Sequence, residues 1–429
     1  MLTSANEPVT TARLAAPERR GSRLVAAADW IAAAVLLTLP WSTSITSALI
    51  VLWLLAVLPT LELASVRDSM KHPAASLPLL LWAFLALGML WADASWSERW
   101  DGLRHFHKLL ILPLLIIHFS RSERGLQVFA ALIVSAVILL VYSWASYRWP
   151  GLVWGDRRPG VPVKDSLYQN MFFVLASCLL LHLSITLVQT GRNALAMLSL
   201  LVVVLFLANI VVVFPSRTAL VVLPLLLIVI GYQRFGKKGA LAVIASSIVL
   251  AAIAWSTSPS LRERVTELVE GTREFQREAD TSESRRIEFW IKSVMAIAEK
   301  PILGHGTGSI SGLFAKQATG EKGAAAMVID NPHNQTFAVG IQIGALGIVV
   351  LFLMWASHMF IFRGAGLTAS FGVLVVLQNI VGSVFNSHLS DFTTGWLYVF
   401  GVGILAGTVL NDRHRKGNRA ACSPAALIA

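Results

Sequence analysis

Apolar runs long enough to form a spanning helix, roughly 20 residues, recur along most of the chain with short polar stretches between them. About twelve can be marked off, at 24–40, 45–63, 75–92, 105–119, 125–147, 169–189, 193–214, 217–233, 239–256, 337–362, 366–387 and 392–410. No segment repeats at a fixed period, and no pair of interrupted helices occupies matching positions in two halves, as a repeat-built transporter would show. The pattern predicts an all-α polytopic integral membrane protein with about twelve transmembrane helices.

One polar stretch is far longer than the rest. Within it, SLRERVTELVEGTREF places Leu261, Val265, Leu268 and Phe275 at helical spacing, which predicts an amphipathic helix lying on the membrane or on the bundle. A second helix is expected over 284–299, capped near Ser282 or Ser284, stopped before Pro301, and apolar along Ile287, Trp290, Ile291 and Val294. GHGTGS, 304–309, reads as a glycine-rich bend, since no P-loop lysine follows it. The chain therefore divides into spans 1–9 over residues 1–256, a helical loop over 257–333, spans 10–12 over 334–410, and a tail over 411–429.

Composition fits this division. Of 429 residues, 55% are hydrophobic and 14% charged, against about 25% charged in soluble proteins. Cys178 and Cys422 are too few for a disulfide framework. The first apolar run has no A-x-A cleavage site and is expected to be retained as a span. The net charge of +11 reports orientation in such a chain rather than a nucleic-acid partner. Arg13, Arg19, Arg20 and Arg23, alternate loops (Arg67, Lys71; Arg121, Arg124; Arg192; Arg234, Lys237, Lys238; Arg363) and the tail all fall on one side. That side is expected to be cytoplasmic, with both termini on it. Yet Arg99, Arg104, Arg148, Arg157, Arg158, Lys164 and Arg217 fall on the other side. An anionic ligand on the outer face would account for them, as would tolerance of a few cations once the flanking loops fix orientation. Residues 260–300 hold eight basic and nine acidic side chains, so any arginine acting there acts singly.

Three stretches stand out on the outer side: PSRTAL at 215–220, SRRIEFWIKSVMAIAEKPILGHGTGS at 284–309, and PHNQTFAVGIQIGALGIVVLF at 332–352. Their order, spacing and placement resemble the O-antigen ligase superfamily. The shared features are Ser216-Arg217-Thr218 at a span start, Arg286 with Trp290, Pro301 with Gly304 and Gly306, and His333-Asn334 entering the next span. The chain departs from the family pattern in having Phe337 and Gln342 where Leu and Glu are frequent, and Arg285 competes with Arg286 for one role.

The resemblance implies a membrane glycosyltransferase of the GT-C-like type, with 257–333 as a large periplasmic loop, in the inner membrane of a Gram-negative bacterium. The donor would be O-antigen on undecaprenyl pyrophosphate and the acceptor lipid A–core, with membrane lipids around both and no cofactor. A polymerase of the same superfamily would use a second polyprenol-linked glycan as acceptor. There is no D-x-D or H-E-x-x-H motif; Arg217 and Arg286 would instead neutralise the leaving pyrophosphate, since the guanidinium fork matches phosphate oxygens. His333 would be the general base, a role suited to a side chain that titrates near neutrality. Arg285, Asn334 and Trp290 would assist in binding substrate. Arg157, Arg158 and Lys164 either bind phosphate or form a solvated loop with Asp156 and Asp165, and His105, His107 and Lys108 are second-rank candidates. From the residues alone, a transporter of an anionic solute stays open, with His333 and the arginines as a binding site.

Overall fold

The computed structural model describes residues 15–421 apart from 154, 164, 215, 258–261, 263–265, 267–281 and 365. The helix expected over Leu261–Phe275 and the candidate Lys164 lie outside these residues. Every regular element described is helical. In order they are α1 (Ala15–Thr38), α2 (Thr43–Val57), α3 (Leu63–Met70), α4 (Pro73–Gly88), α5 (Trp96–Arg104), α6 (Ile111–Phe119), α7 (Gly125–Arg148), α8 (Ser166–Gln189), α9 (Asn193–Val212), α10 (Arg217–Thr257), α11 (Ser282–Glu299), α12 (Ile310–Ala318), α13 (Gln335–Ile361), α14 (Leu367–Phe385) and α15 (Phe392–Ala421).

Among the described residues, eight helices are long and apolar enough to cross a membrane, or ten if the bent pairs α3–α4 and α5–α6 each count as one span. The expected twelve are therefore not all found by this measure. The difference lies in α1, which is not among them, and in α10, which counts once. Yet α10 is not straight. Gly236 has a φ of 62° inside it, and a Cβ on Gly239 would stand 2.3 Å from the carbonyl oxygen of Gly231. In a continuous helix residues eight apart are separated by about 12 Å, so the chain doubles back at Gly236.

The helix ends sort into two groups. At one, Arg413 donates to the carbonyls of Ile361 and Arg363, Arg415 pairs with Glu123 at 2.9 Å, and Arg121 donates to the carbonyl of Thr60. Buried Asp29 of α1 accepts from His118 and Ser122 near this end. Arg121, Arg363, Arg413 and Arg415, from the loops and tail read as cytoplasmic, thus gather together. At the other end meet the turn after α4, the α7–α8 loop, the start of α10, the segment from α11 to α13, and the connection from α14 to α15. Between them one core of Leu, Ile, Val and Phe side chains runs through most of the helices. Phe289, Ala296, Ile310, Phe314, Ala338 and Ile341 form a second, smaller core under α11 and α12.

The glycine-rich bend has a larger role than its sequence suggests. α13 is broken at Ile343 and Gly344, which strips carbonyls and amides of their partners in the helix. Residues 301–308 fill the break: His305 N–H donates to Ile341 O, Gly306 N–H to Gln342 O, and Ala345 N–H to Pro301 O. Thr307 N–H and Oγ1 donate to the carbonyls of Gly88 and Leu85 in α4, and Gly308 N–H to Gln342 Oε1. These amides are therefore occupied by protein acceptors rather than arranged as a phosphate cradle. Contact this close needs glycine: Gly306 has a φ of 94°, and a Cβ on it would lie 2.4 Å from the Cα of Ala92.

α11 also departs from expectation. It buries Ser284, Glu288, Phe289, Lys292, Ser293 and Ala296, while Val294 of the expected apolar face is exposed. Ile287, Trp290 and Ile291 are half-buried, and Lys292 turns inward, where its ammonium donates to Ala325 O and lies over the Phe314 ring. A buried ammonium needs such partners.

Gly306→Ala is expected to lower stability by about 2 kcal/mol or more, through left-handed strain and the clash with Ala92. Gly312→Ala, at a position with open space around it, should be near neutral. Thermal unfolding of the detergent-purified protein measures both.

Candidate functional site

His333 stands where the polar segment enters α13, and it is the only non-glycine residue with positive φ among those described, at 52°. Asn331 holds it in that conformation: its Oδ1 accepts from the His333 N–H at 3.0 Å and from Ser387 Oγ at 2.6 Å. Asn334 caps α13, its Oδ1 accepting from the amides of Thr336 and Phe337 and its Nδ2 donating to Val384 O. Buried Gln335 accepts the amides of Leu389 and Ser390. Thus N-P-H-N-Q, 331–335, clips the start of α13 to the α14–α15 connection and leaves the imidazole exposed on top.

Among the described residues the imidazole meets Phe289 and Asn386. It stacks on Phe289 of α11 with ring centroids 6.0 Å apart, and its Nδ1 lies 2.9 Å from Asn386 Oδ1. The Asn386 amide is oriented independently, since its Nδ2 donates to Asp391 Oδ2 at 2.9 Å and its Oδ1 also accepts the Ser387 N–H at 3.0 Å. An oxygen so placed can only accept, so His333 Nδ1 carries the proton and donates. In the neutral ring Nε2 is then left with its lone pair outward, the tautomer a general base needs.

Asp391 is held in turn by a buried lysine. Lys108 Nζ donates to the carbonyls of Leu389, Ser390 and Asp391 at 3.1, 2.8 and 2.7 Å. Three acceptors match the three ammonium hydrogens. Neither Asn386 nor Asp391 was a candidate from sequence, and Lys108 ranked second.

The candidate arginines form two groups. Arg217 is the first residue of α10 and is exposed. Arg158 lies over the ring of Phe214, 5.6 Å from its centroid, which brings the 157–158 loop to the residues just before Arg217. Arg157 is pinned to that loop by donating to Pro162 O. Arg285 and Arg286 lie on α11 one turn before Phe289 and Trp290, whose rings meet His333 and Phe337 respectively. One helical turn is about 5.4 Å of axis, so this pair stands beside the histidine. Arg286 is the more exposed of the two. Asn334, by contrast, has its side chain committed to the helix cap.

A cavity of about 660 Å³ opens beneath the same connection and shares Asn331, Ser387, Ser390 and Asp391 with the support of His333. Its other walls include Tyr168, Trp396, Asp330 and Gln342, together with His105 and His107. Its cations have protein partners: Arg104 pairs with Asp101 at 3.1 Å, and Lys108 serves the carbonyls. Among the described residues no three His, Cys, Asp or Glu side chains gather as metal ligands.

These features define a polytopic helical membrane protein with a histidine–amide–carboxylate site at one end of its bundle. The O-antigen ligase family model matches residues 201–353, from the middle of α9 to the middle of α13, and the match supports membership of the O-antigen ligase superfamily. Members of that family are membrane glycosyl-transfer enzymes. No curated protein matches the chain.

Two outcomes follow from this geometry. Lys108→Met removes the donor from three carbonyls and is expected to cost about 2–4 kcal/mol in thermal unfolding. His388, in the α14–α15 connection, is held neutral by burial, its pKa pushed down from 6.5 to about 4. The unfolded chain then binds the extra proton first. Stability should be fully present above about pH 6.5 and fall by on the order of 3 kcal/mol as pH drops toward 4. His388→Asn should flatten that slope in melting curves taken across the window.

Proposed function

We propose that this protein is an O-antigen ligase. It transfers O-antigen polysaccharide from undecaprenyl pyrophosphate to lipid A–core at the periplasmic face of a Gram-negative inner membrane. The observation that carries the reading is the His333–Asn386–Asp391 chain, which supports His333 as the base. In this mechanism Nε2 takes the proton of an acceptor hydroxyl as its oxygen attacks the anomeric carbon of the donor. The bond from that carbon to the pyrophosphate oxygen breaks, and the electron pair leaves with the pyrophosphate. Attack opposite the leaving group inverts the anomeric centre.

Arg217 and Arg286, with Arg285 beside the latter, neutralise the departing pyrophosphate, and no metal is required for this. Stabilising charge at the point where it develops is usually the largest catalytic contribution. Arg157 and Arg158 extend the cationic surface toward the donor phosphates or the phosphorylated acceptor core, and Lys164 is assigned the same role from its place in the sequence. The cavity under Asn331 and Ser387 takes uncharged sugar, because its cations are engaged while amide, carboxylate and hydroxyl groups line its walls. Trp290 packs the arginine-bearing turn against Phe337, and Asn334 fixes the direction in which His333 leaves α13.

The test is a lipopolysaccharide gel from a deletion strain complemented with wild type, His333→Ala or Asn386→Ala, with purified protein assayed in EDTA alongside. The expected result is bare lipid A–core in the deletion strain, a full ladder with wild type, and a loss of about 10²–10⁴-fold in rate for His333→Ala. Asn386→Ala should fall between the two. Core capped with a single repeat would make the protein a polymerase. A normal ladder from His333→Ala would remove the base assignment, and absence of any glycosidic product from purified wild type would favour transport.

A further inference from the structure

The cavity under the α14–α15 connection is acidic, in a chain that is basic overall. The protein carries a net charge of +11, yet the cavity is lined by four carboxylates, Glu98, Asp101, Asp330 and Asp391, against two basic side chains, Arg104 and Lys108. Histidine is largely uncharged at pH 8. There His105, which the charge of Asp330 reaches, and His107 supply hydrogen bonding rather than charge.

Three of the four carboxylates are committed to the protein. Asp101 pairs with Arg104 at 3.1 Å. Asp391 accepts from Asn386, and the Lys108 ammonium lies against its carbonyl. Glu98 turns back to cap α5, where its Oε2 accepts the Ser95 N–H at 2.8 Å and the Ser95 hydroxyl at 2.7 Å. Asp330 forms no hydrogen bond or ion pair with the described residues, and it stands exposed in the cavity wall. It is the acidic group left for a ligand to meet.

The position of Asp330 is fixed from behind. The next residue, Asn331, accepts from the His333 N–H and from Ser387 Oγ. Three steps of chain separate Asp330 from His333, at most about 11 Å between Cα atoms. A sugar touching Asp330 therefore lies close to the bond on which His333 acts. A carboxylate in such a wall accepts from hydroxyl and amino groups. It repels a second carboxylate, and the cavity cations that would offset this are engaged.

We propose, on the footing that the cavity is a sugar site, that Asp330 sets its specificity. Asp330 accepts hydrogen bonds from the hydroxyl or amino groups of a sugar that has no carboxylate, and it turns uronic acids away.

The experiment uses the full chain in detergent at pH 8 and low salt. Binding of the methyl glycosides of glucose, glucosamine and glucuronic acid is measured by saturation-transfer NMR. Wild type is compared with Asp330→Asn, Asp330→Glu and Ser311→Trp, the last of which narrows the cavity. The expected result is that wild type binds the glucuronide roughly five- to tenfold more weakly than the glucoside, the size of one like-charge repulsion near a protein surface. Asp330→Asn should remove that difference, Asp330→Glu should keep it, and added salt should narrow it in wild type. Equal binding of glucoside and glucuronide by wild type would overturn the proposal. So would a difference that Asp330→Asn leaves unchanged. Failure of all three glycosides to bind, or binding that Ser311→Trp does not weaken, would remove the sugar site itself and the proposal with it. In the transfer assay the substrate whose KM moves in Asp330→Asn, donor or acceptor, is the one that supplies this sugar. Asp330 is exposed, so Asp330→Asn should melt as wild type does.

Discussion

A broken helix inside a bundle must have its backbone groups paired, because no water reaches them and each unpaired one costs several kcal/mol. α13 breaks at Ile343–Gly344, and the segment 301–308 supplies the partners. That requirement fixes much else. It draws the loop against α4 through Thr307 and against α5 through Gly308, whose Cβ would collide with the Glu98 carbonyl. It sets where α11 ends and α12 begins, and so where Phe289 meets His333. The glycines at 304, 306 and 308 are there because backbone packs on backbone, and Gln342 braces the arrangement by accepting the Gly308 amide while donating to Ala338 O.

The entry to α13 is built on the same economy of groups. Asn331, Asn334 and Gln335 are all used in turns, caps and bridges, and His333 between them keeps one ring nitrogen outward. Three consecutive side chains with different tasks can point in different directions only because His333 adopts a left-handed backbone conformation, which costs on the order of 1–3 kcal/mol and persists where neighbours over-determine it. Asn331, Phe289 and Asn386 do so here.

Much of this was legible in the sequence. The apolar runs mark almost every helix of the bundle, and even the 217–233 and 239–256 pair corresponds to the two arms that meet at Gly236. His333, Arg217, Arg285, Arg286 and Trp290 announce themselves because their motifs are short and contiguous. Asn386, Asp391 and the Lys108 cage do not, because they meet their partners across 53 residues from His333 and more than 280 from Lys108. The available signal was NSHLSD, 386–391, a polar hexapeptide between two apolar runs and too rich in hydrogen-bonding groups for a simple turn. The inward side of α11 lies one step round from the expected stripe, on Phe289, Lys292 and Ala296, because Phe314 and the carbonyl of Ala325 stand there to receive them.

The cage around Lys108 bears on how the protein is made. Lys108 lies in the first third of the chain, while the carbonyls it serves belong to residues 389–391, just before the last helix. A nascent chain inserted from its N-terminus completes the arginine-bearing loop and the His333 turn before those carbonyls exist. Until α15 enters the membrane, His333 has no Asn386 to set its tautomer, and Lys108 has no cage to fill. The His333–Asn386–Asp391 arrangement is therefore assembled by the last segments to be synthesised, and a chain that stops short presents the α11 arginines beside an unoriented imidazole.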